Sequence, residues 1–162
     1  MTAPLSFRRI TPGDLAILHT LHSDPATNLH NPYGADPDLE TTRERLDEYV
    51  RHWDEYGFGY ELIDDGSGDI GICGVRRDVW QGLHVLNLYW RLLPEVWGRG
   101  YATSAGAHAL EMAQAARHRE RVVARMVAGN AASARIAEKL GMARAPELDA
   151  TVDGADWVIY AV

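Results

Sequence analysis

The run Leu92-Leu93-Pro94-Glu95-Val96-Trp97-Gly98-Arg99-Gly100-Tyr101-Ala102-Thr103 limits the fold more tightly than any other stretch of this chain. An apolar segment stops at Pro94, two glycines follow one residue apart, and a small-residue, helix-compatible segment opens at Ala102. Strand, glycine turn and helix start are thus compressed into a few positions. Such a turn aims several backbone N–H groups and the positive end of a helix dipole at one anion. Glycine is required there because a Cβ would block close approach or forbid a positive φ. The stretch predicts main-chain binding of a phosphate-bearing molecule.

The rest of the chain arranges itself around that turn. Phe7 to Ile10 reads as a first strand, and Thr11-Pro12-Gly13-Asp14 as a helix start with a capping box. The helix carries Leu15, Leu18 and His22 on one face and ends near Pro25. Residues 25–38 have loop chemistry, after which Thr41 and Glu44 read as a second capping pair. Leu46, Tyr49, Val50 and Trp53 then share one helical face, closed by Gly57 and Gly59. Strands are expected from Tyr60 to Ile63, from Ile70 onward, and from His84 to Leu92, with turns at 64–68 and 80–82. Ala102, Ala105, Ala109, Met112 and Ala116 mark a helix lying close to a sheet. A strand from Arg121 to Val127 leads to a helix capped by Asn130 and ended by Gly141, and two short strands follow, near 144–150 and 157–162. The class is α+β, a mixed, mostly antiparallel sheet of about six or seven strands with about four helices, in one domain spanning residues 1–162.

Composition removes several function classes. With 23 acidic and 16 basic side chains the formal charge is −7, which disfavours nucleic acid and suits a cationic substrate such as an amine. The bland reading of that charge is solubility. No apolar run is long enough to span a membrane and the start lacks a secretory h-region. Cys73 is the single cysteine, so no internal disulfide is expected and a cytoplasmic location is the default. The seven histidines (19, 22, 30, 52, 84, 108 and 118) show no metal-ligand spacing, and no metal is expected.

Two blocks in order resemble the GNAT N-acetyltransferases, which move an acyl group from acyl-coenzyme A to an amine. The family signature, Q/R-x-x-G-x-G/A entering a helix, maps onto Glu95 to Gly100, with Glu95 in place of the usual Gln or Arg. Pro94, Trp97, Gly98, Gly100, Tyr101, Ala102 and Thr103 match the branch that contains the ribosomal-protein N-terminal acetyltransferases. The second block, N-x-x-S followed by E-K-x-G-F, is similar to Asn130, Ser133, Glu138, Lys139 and Gly141, with Met142 replacing the aromatic. The blocks lie about 30 residues apart, as strand–helix–strand spacing demands, and the likeness runs from about residue 5 to the C-terminus.

The resemblance implies a GNAT fold with splayed central strands and acetyl-CoA as cosubstrate. It implies that backbone groups of Leu92 and Leu93 pair with the pantetheine arm and that the amides of Gly98, Arg99, Gly100, Tyr101, Ala102 and Thr103 cradle the pyrophosphate. Arg99 would reach an outer phosphate, and Asn130 would hold the pantetheine side. Many members protonate the leaving thiolate with a Tyr seven positions after the Asn; Ala137 stands there, which leaves Ser133 as the catalytic candidate. No base is singled out among Tyr89, His84, Glu61 and water. Tyr33, in the loop where the family builds its acceptor pocket, and Tyr89 are the substrate-binding candidates. The acceptor would be a protein N-terminus or a small amine, and a homodimer is an option by family analogy alone. The alternative is a non-catalytic acyl-CoA-binding or sensing module of the same fold.

Overall fold

A computed structural model describes residues 4–117 and 119–162; the first three residues of the N-terminal reading and His118 of the histidine set lie outside the described residues. β1 (Ser6–Arg9) leads into a 3-10 turn whose cap is the one expected: Asp14 accepts from the Thr11 N–H at 2.7 Å, with Pro12 at the first helical position. α1 (Leu15–Ser23) follows directly. α2 (Leu39–Tyr56) starts earlier than the Thr41–Glu44 reading. Asp38 is its N-cap, accepting from the Thr41 N–H at 2.8 Å and from the Thr41 hydroxyl at 2.7 Å. A cap three residues upstream gives the helix most of another turn and leaves Thr41 inside it.

β2 (Tyr60–Asp64), β3 (Asp69–Trp80) and β4 (Leu83–Leu92) form an antiparallel meander against β1. α3 (Tyr101–Ala116) crosses to β5 (Arg121–Val127), and α4 (Ala131–Lys139) crosses to the C-terminal strands. The expected single strand near 144–150 is in fact two, β6 (Ala143–Arg144) and β7 (Ala150–Val152), both paired with β8 (Ala155–Ala161). Pro146 breaks them apart, since it cannot donate to a ladder, and Pro146–Leu148 winds into a 3-10 turn. One mixed sheet of eight strands results, in the order β1-β2-β3-β4-β5-β8-β6 with β7 on β8.

Among the described residues one strand pair is parallel, β4 with β5, and this is where the sheet opens. Only Val85–Arg121, Leu86–Val122 and Asn87–Val123 are in register. Beyond Asn87, β4 continues along β3 and β5 continues along β8. Past that point Leu88 to Leu92 face a gap that strands cannot close.

The two sheet faces are filled differently. Leu86, Leu88, Val122, Ala124 and Met126 pack under α3 and α4 through Ala109, Ala113 and Ala137. The small-residue stripe of α3 is centred on Ala105, Ala109 and Ala113, each fully buried, so this helix lies close to the sheet. The opposite face, with Tyr60, Leu62, Ile72 and Tyr89, is covered by Leu18, Leu21, Leu46 and Tyr49 of α1 and α2. Among the described residues no helix is long and apolar enough to cross a membrane.

Candidate functional site

β4 ends at Leu92, a 3-10 turn spans Pro94–Val96, and α3 begins at Tyr101. Gly98 and Gly100 both lie in the left-handed region, at φ +77° and +80°, which side-chain-bearing residues rarely adopt. A Cβ at either would meet no atom of the chain within 4 Å, so this side of the turn is open. The Trp97 indole donates to the Leu92 carbonyl at 2.9 Å, and the Leu93 N–H donates to the Ile70 carbonyl at 2.9 Å. These two bonds tie the turn back onto β3 and β4. The N–H groups of Val96, Trp97 and Ser104 have backbone acceptors, whereas those of Gly98, Arg99, Gly100, Tyr101, Ala102 and Thr103 have none among the described residues. Six consecutive free donors thus stand at the N-terminus of a 16-residue helix, where the helix dipole adds positive potential. Chemically this is an anion cradle. The exposed Arg99 guanidinium folds back to the Glu95 carbonyl at 3.3 Å and adds a charge beside the run.

The second block sits at the end of β5, across the gap. Asn130 caps α4, its Oδ1 accepting from the Ser133 N–H at 3.2 Å. Its side-chain NH2 and the half-buried Ser133 hydroxyl make no hydrogen bond to described residues. Ala137 is fully buried under the sheet.

The face of β4 opposite α3 carries Tyr89 and Arg91. The Tyr89 ring stacks on Tyr60 at 4.9 Å, and its hydroxyl is buried without a partner. Burial pushes that hydroxyl's pKa up, so it stays protonated at neutral pH. The Arg91 guanidinium donates to His22 Nδ1 at 3.1 Å and to Asn28 Oδ1 at 3.0 Å. Because a guanidinium only donates, His22 accepts at Nδ1 and is neutral, with its proton on Nε2. Burial, then the Arg91 and Arg45 charges, push the His22 pKa down to about 2. Asp36 is also buried and accepts from Arg45 at 2.8 Å and from Thr42 at 2.9 Å. The sequence gives no site role to His22, Asn28, Asp36, Arg45 and Arg91, nor to Arg76, whose guanidinium lies over Tyr49 and Tyr60 on the same face. The available signal was Arg91 itself, a charge inside the β-rich run of β4.

Tyr33 is largely exposed and bridges two distant loops, its hydroxyl donating to Asp153 Oδ2 at 2.7 Å. Beside that bridge lies an open pocket of about 360 Å3, lined by Leu29, His30, Asn31, Pro32, Val127, Ala128, Ala155 and Asp156. Asn28, next to Leu29, joins the pocket wall to Arg91. Two of the proposed proton acceptors are placed elsewhere. Glu61 is on the α3 face of β2, 2.5 Å from His108 Nε2, with Phe7 stacked on the His108 ring. His84 is exposed near the start of β4, about 26 Å along the strand from Leu92. Among the histidines, His19 is held by the Thr42 hydroxyl at 2.8 Å, and no group of described residues is arranged to hold a metal ion.

A family profile described as an acetyltransferase (GNAT) domain matches residues 5–143. The chain is 29% identical over 124 residues to the uncharacterized protein YkkB of Bacillus subtilis, covering 75% of this chain and 71% of that one. The crystal structure of an acetyltransferase from Agrobacterium tumefaciens superposes with a TM-score of 0.79 at 24% identity, covering all of this chain and 92% of that one. A spermidine N-acetyltransferase from Vibrio cholerae, in complex with CoA and spermine, superposes with a TM-score of 0.76 at 14% identity, over 98% of this chain and 94% of that one. At such identities the structural likeness speaks for the fold, and the profile match speaks for the family.

Proposed function

The chain belongs to the GNAT acetyltransferase family, and on that premise we propose that it is a cytoplasmic, single-domain N-acetyltransferase that moves the acetyl group of acetyl-CoA onto a primary amine. The observation that carries the reading is the run of six free amides from Gly98 to Thr103, opening onto space that no side chain fills. Those amides suit the pyrophosphate of the cosubstrate, with Arg99 at an outer phosphate. Asn130 offers its free NH2 to the pantetheine arm. Leu92 offers its N–H on the gap side of β4, its carbonyl already accepting from the Trp97 indole, whereas the Leu93 N–H is spent on Ile70. The match of Pro94, Trp97 and Tyr101 to Thr103 supports the branch of the ribosomal-protein acetyltransferases. The Vibrio cholerae relative holds CoA in the same fold.

The reaction is direct attack. A neutral amine forms the C–N bond at the thioester carbon, the tetrahedral intermediate collapses with loss of the C–S bond, and the thiolate takes a proton. Ser133 is the group assigned to deliver it, since its hydroxyl is free and stands at the gap end of α4. Tyr89 holds its own proton and His22 is neutral with almost no basicity. The acceptor ammonium therefore passes its proton to water. Thiol release from acetyl-CoA over a panel of primary amines tests the reading, together with calorimetric binding of CoA. Release above hydrolysis with at least one amine is expected. Gly100→Val should raise the CoA dissociation constant more than about 100-fold, because a branched side chain covers the amides and resists the positive φ. Tight CoA binding without release for any amine would instead make the chain a binding module.

A further inference from the structure

The face of the sheet covered by α1 and α2 holds an imbalance of charge that the overall composition hides. Arg45, Arg76, Arg91 and Arg125 lie on or beside it, and two carboxylates answer them: Asp36 to Arg45 and Asp78 to Arg125. Arg76 and Arg91 have no carboxylate partner among the described residues, in a chain with 23 acidic and 16 basic side chains. Both are half-buried, and both lean on one aromatic stack. Arg76 lies over Tyr49 and Tyr60 at 5.1 and 5.6 Å, and Arg91 over Tyr89 at 5.7 Å. Cation–π contact offsets part of the cost of desolvating a guanidinium, but it neutralises no charge.

The orphaned polar atoms of this cluster share one character. His22 Nε2, Tyr89 Oη and Arg76 Nε are buried and without a partner. Nε2 carries the His22 proton by the argument above, Tyr89 is protonated, and a guanidinium only donates. All three carry a proton with no acceptor, so one acceptor-rich group would answer the whole set. A carboxylate supplies about four acceptor sites and a negative charge in one small planar group. The cluster also adjoins the gap between β4 and β5 and connects through Asn28 to the open pocket.

Resting on the transferase reading above, we propose that the acceptor carries a carboxylate beside its amine, a free amino acid in the simplest case, and that Arg91 holds that carboxylate, with Arg76 adding positive charge across the tyrosine stack. The aromatic wall of buried Tyr49 and Tyr60 and half-buried Tyr89 lowers the local dielectric and strengthens that contact. The overall charge of −7 suggests a cationic acceptor, but the local charge outweighs it because more distant surface charges are screened beyond about 8 Å at physiological salt.

The test is thiol release with acetyl-CoA and matched acceptors: the twenty free amino acids, their amides, their decarboxylated amines, and spermidine. At least one amino acid should exceed its amide and its decarboxylated amine by about 100-fold or more in kcat/KM, since a site built for a charged group rejects analogues lacking it. Arg91→Met should cut that preference about 10-fold or more through acceptor KM, and Arg76→Met by less, with CoA affinity by calorimetry unchanged in both and Arg91→Lys recovering part of the loss. Circular dichroism checks that each variant folds, and Arg91→Lys carries the test where Arg91→Met does not. Turnover of spermidine, amides or simple amines at rates equal to or above those of the amino acids would overturn the inference while leaving the transferase standing. A loss that strikes amino acid and amide alike would also overturn it. No release with any acceptor would overturn both.

Discussion

The Ser133 hydroxyl makes no hydrogen bond to any described residue, while its N–H is taken by Asn130 Oδ1 at 3.2 Å. The two facts separate what the residue does for the fold from what it does at the gap. The cap of α4 uses the Asn130 side chain and the Ser133 backbone, and neither changes in Ser133→Ala. Stability should therefore stay within about 0.5 kcal/mol of the parent, as for an ordinary half-buried substitution. If the hydroxyl protonates the leaving thiolate, kcat falls by about 100-fold while the CoA dissociation constant stays the same. Steady-state kinetics beside calorimetry check this, and an equal loss in both would mark Ser133 as a binding group. The Asn130–Ser133 pair was legible in the sequence because a cap and a family motif coincide there. Arg76 and Arg91 were not legible, because their meaning lies in which carboxylates fail to reach them, and only the packed structure shows that.

Among elements, α2 shows how far a local pattern carries. Asp38 and Thr41 are both N-cap residue types, but only Thr41-x-x-Glu44 completes a capping box, so local chemistry points to Thr41. The choice goes to Asp38, in the segment that Asp36 pins against α2 by accepting from Arg45 at 2.8 Å and from the buried Thr42 at 2.9 Å. The tail was misread for a related reason. Pro146 punctuates a short stretch of alternating apolar and charged residues, and whether it ends a strand depends on what β8 offers as partner. The helices and central strands, whose periodicity spans many residues, were readable almost throughout. The Asp36 contact has its own pH signature. Burial pushes its carboxyl pKa up, yet the Arg45 and Thr42 hydrogen bonds overcome that and hold it below the ordinary carboxylate range. A lowered folded-state pKa gives stability that is fully present above the unfolded value, near 3.9, and lost as pH falls through the folded value. Asp36→Asn should cost about 1–3 kcal/mol at pH 7. Its stability should also fall less steeply than the parent's below about pH 4. Urea unfolding at pH 7 and across pH 2–5 reads both effects, and parallel acid slopes would show that Asp36 does not contribute to them.

At the scale of the molecule, the sheet behaves as two leaves hinged along three residue pairs between β4 and β5. The amide run stands at one mouth of the opening, and the Arg76–Arg91 cluster lines the face behind it. Asymmetry of the two faces follows from the helices: small residues let α3 lie close to the sheet, while α1 and α2 bring Tyr49 and Leu46 and leave room for polar groups. The leaves have a second tie at the surface, where Tyr33 donates to Asp153 at 2.7 Å across 120 positions of sequence. That bond joins the loop between α1 and α2 to the β7–β8 turn, beside the pocket of about 360 Å3. Both partners are exposed, so the bond adds little to global stability. Its consequence is local, because it fixes the loop that carries Leu29 to Pro32 over the pocket. Tyr33→Phe keeps the ring and removes the tie. The thermal midpoint should be unchanged and acceptor KM should rise several-fold, with the KM for acetyl-CoA constant because the amide run lies at the other mouth. A midpoint that falls with acceptor KM unchanged would mean that the bridge braces the fold and does not position the acceptor.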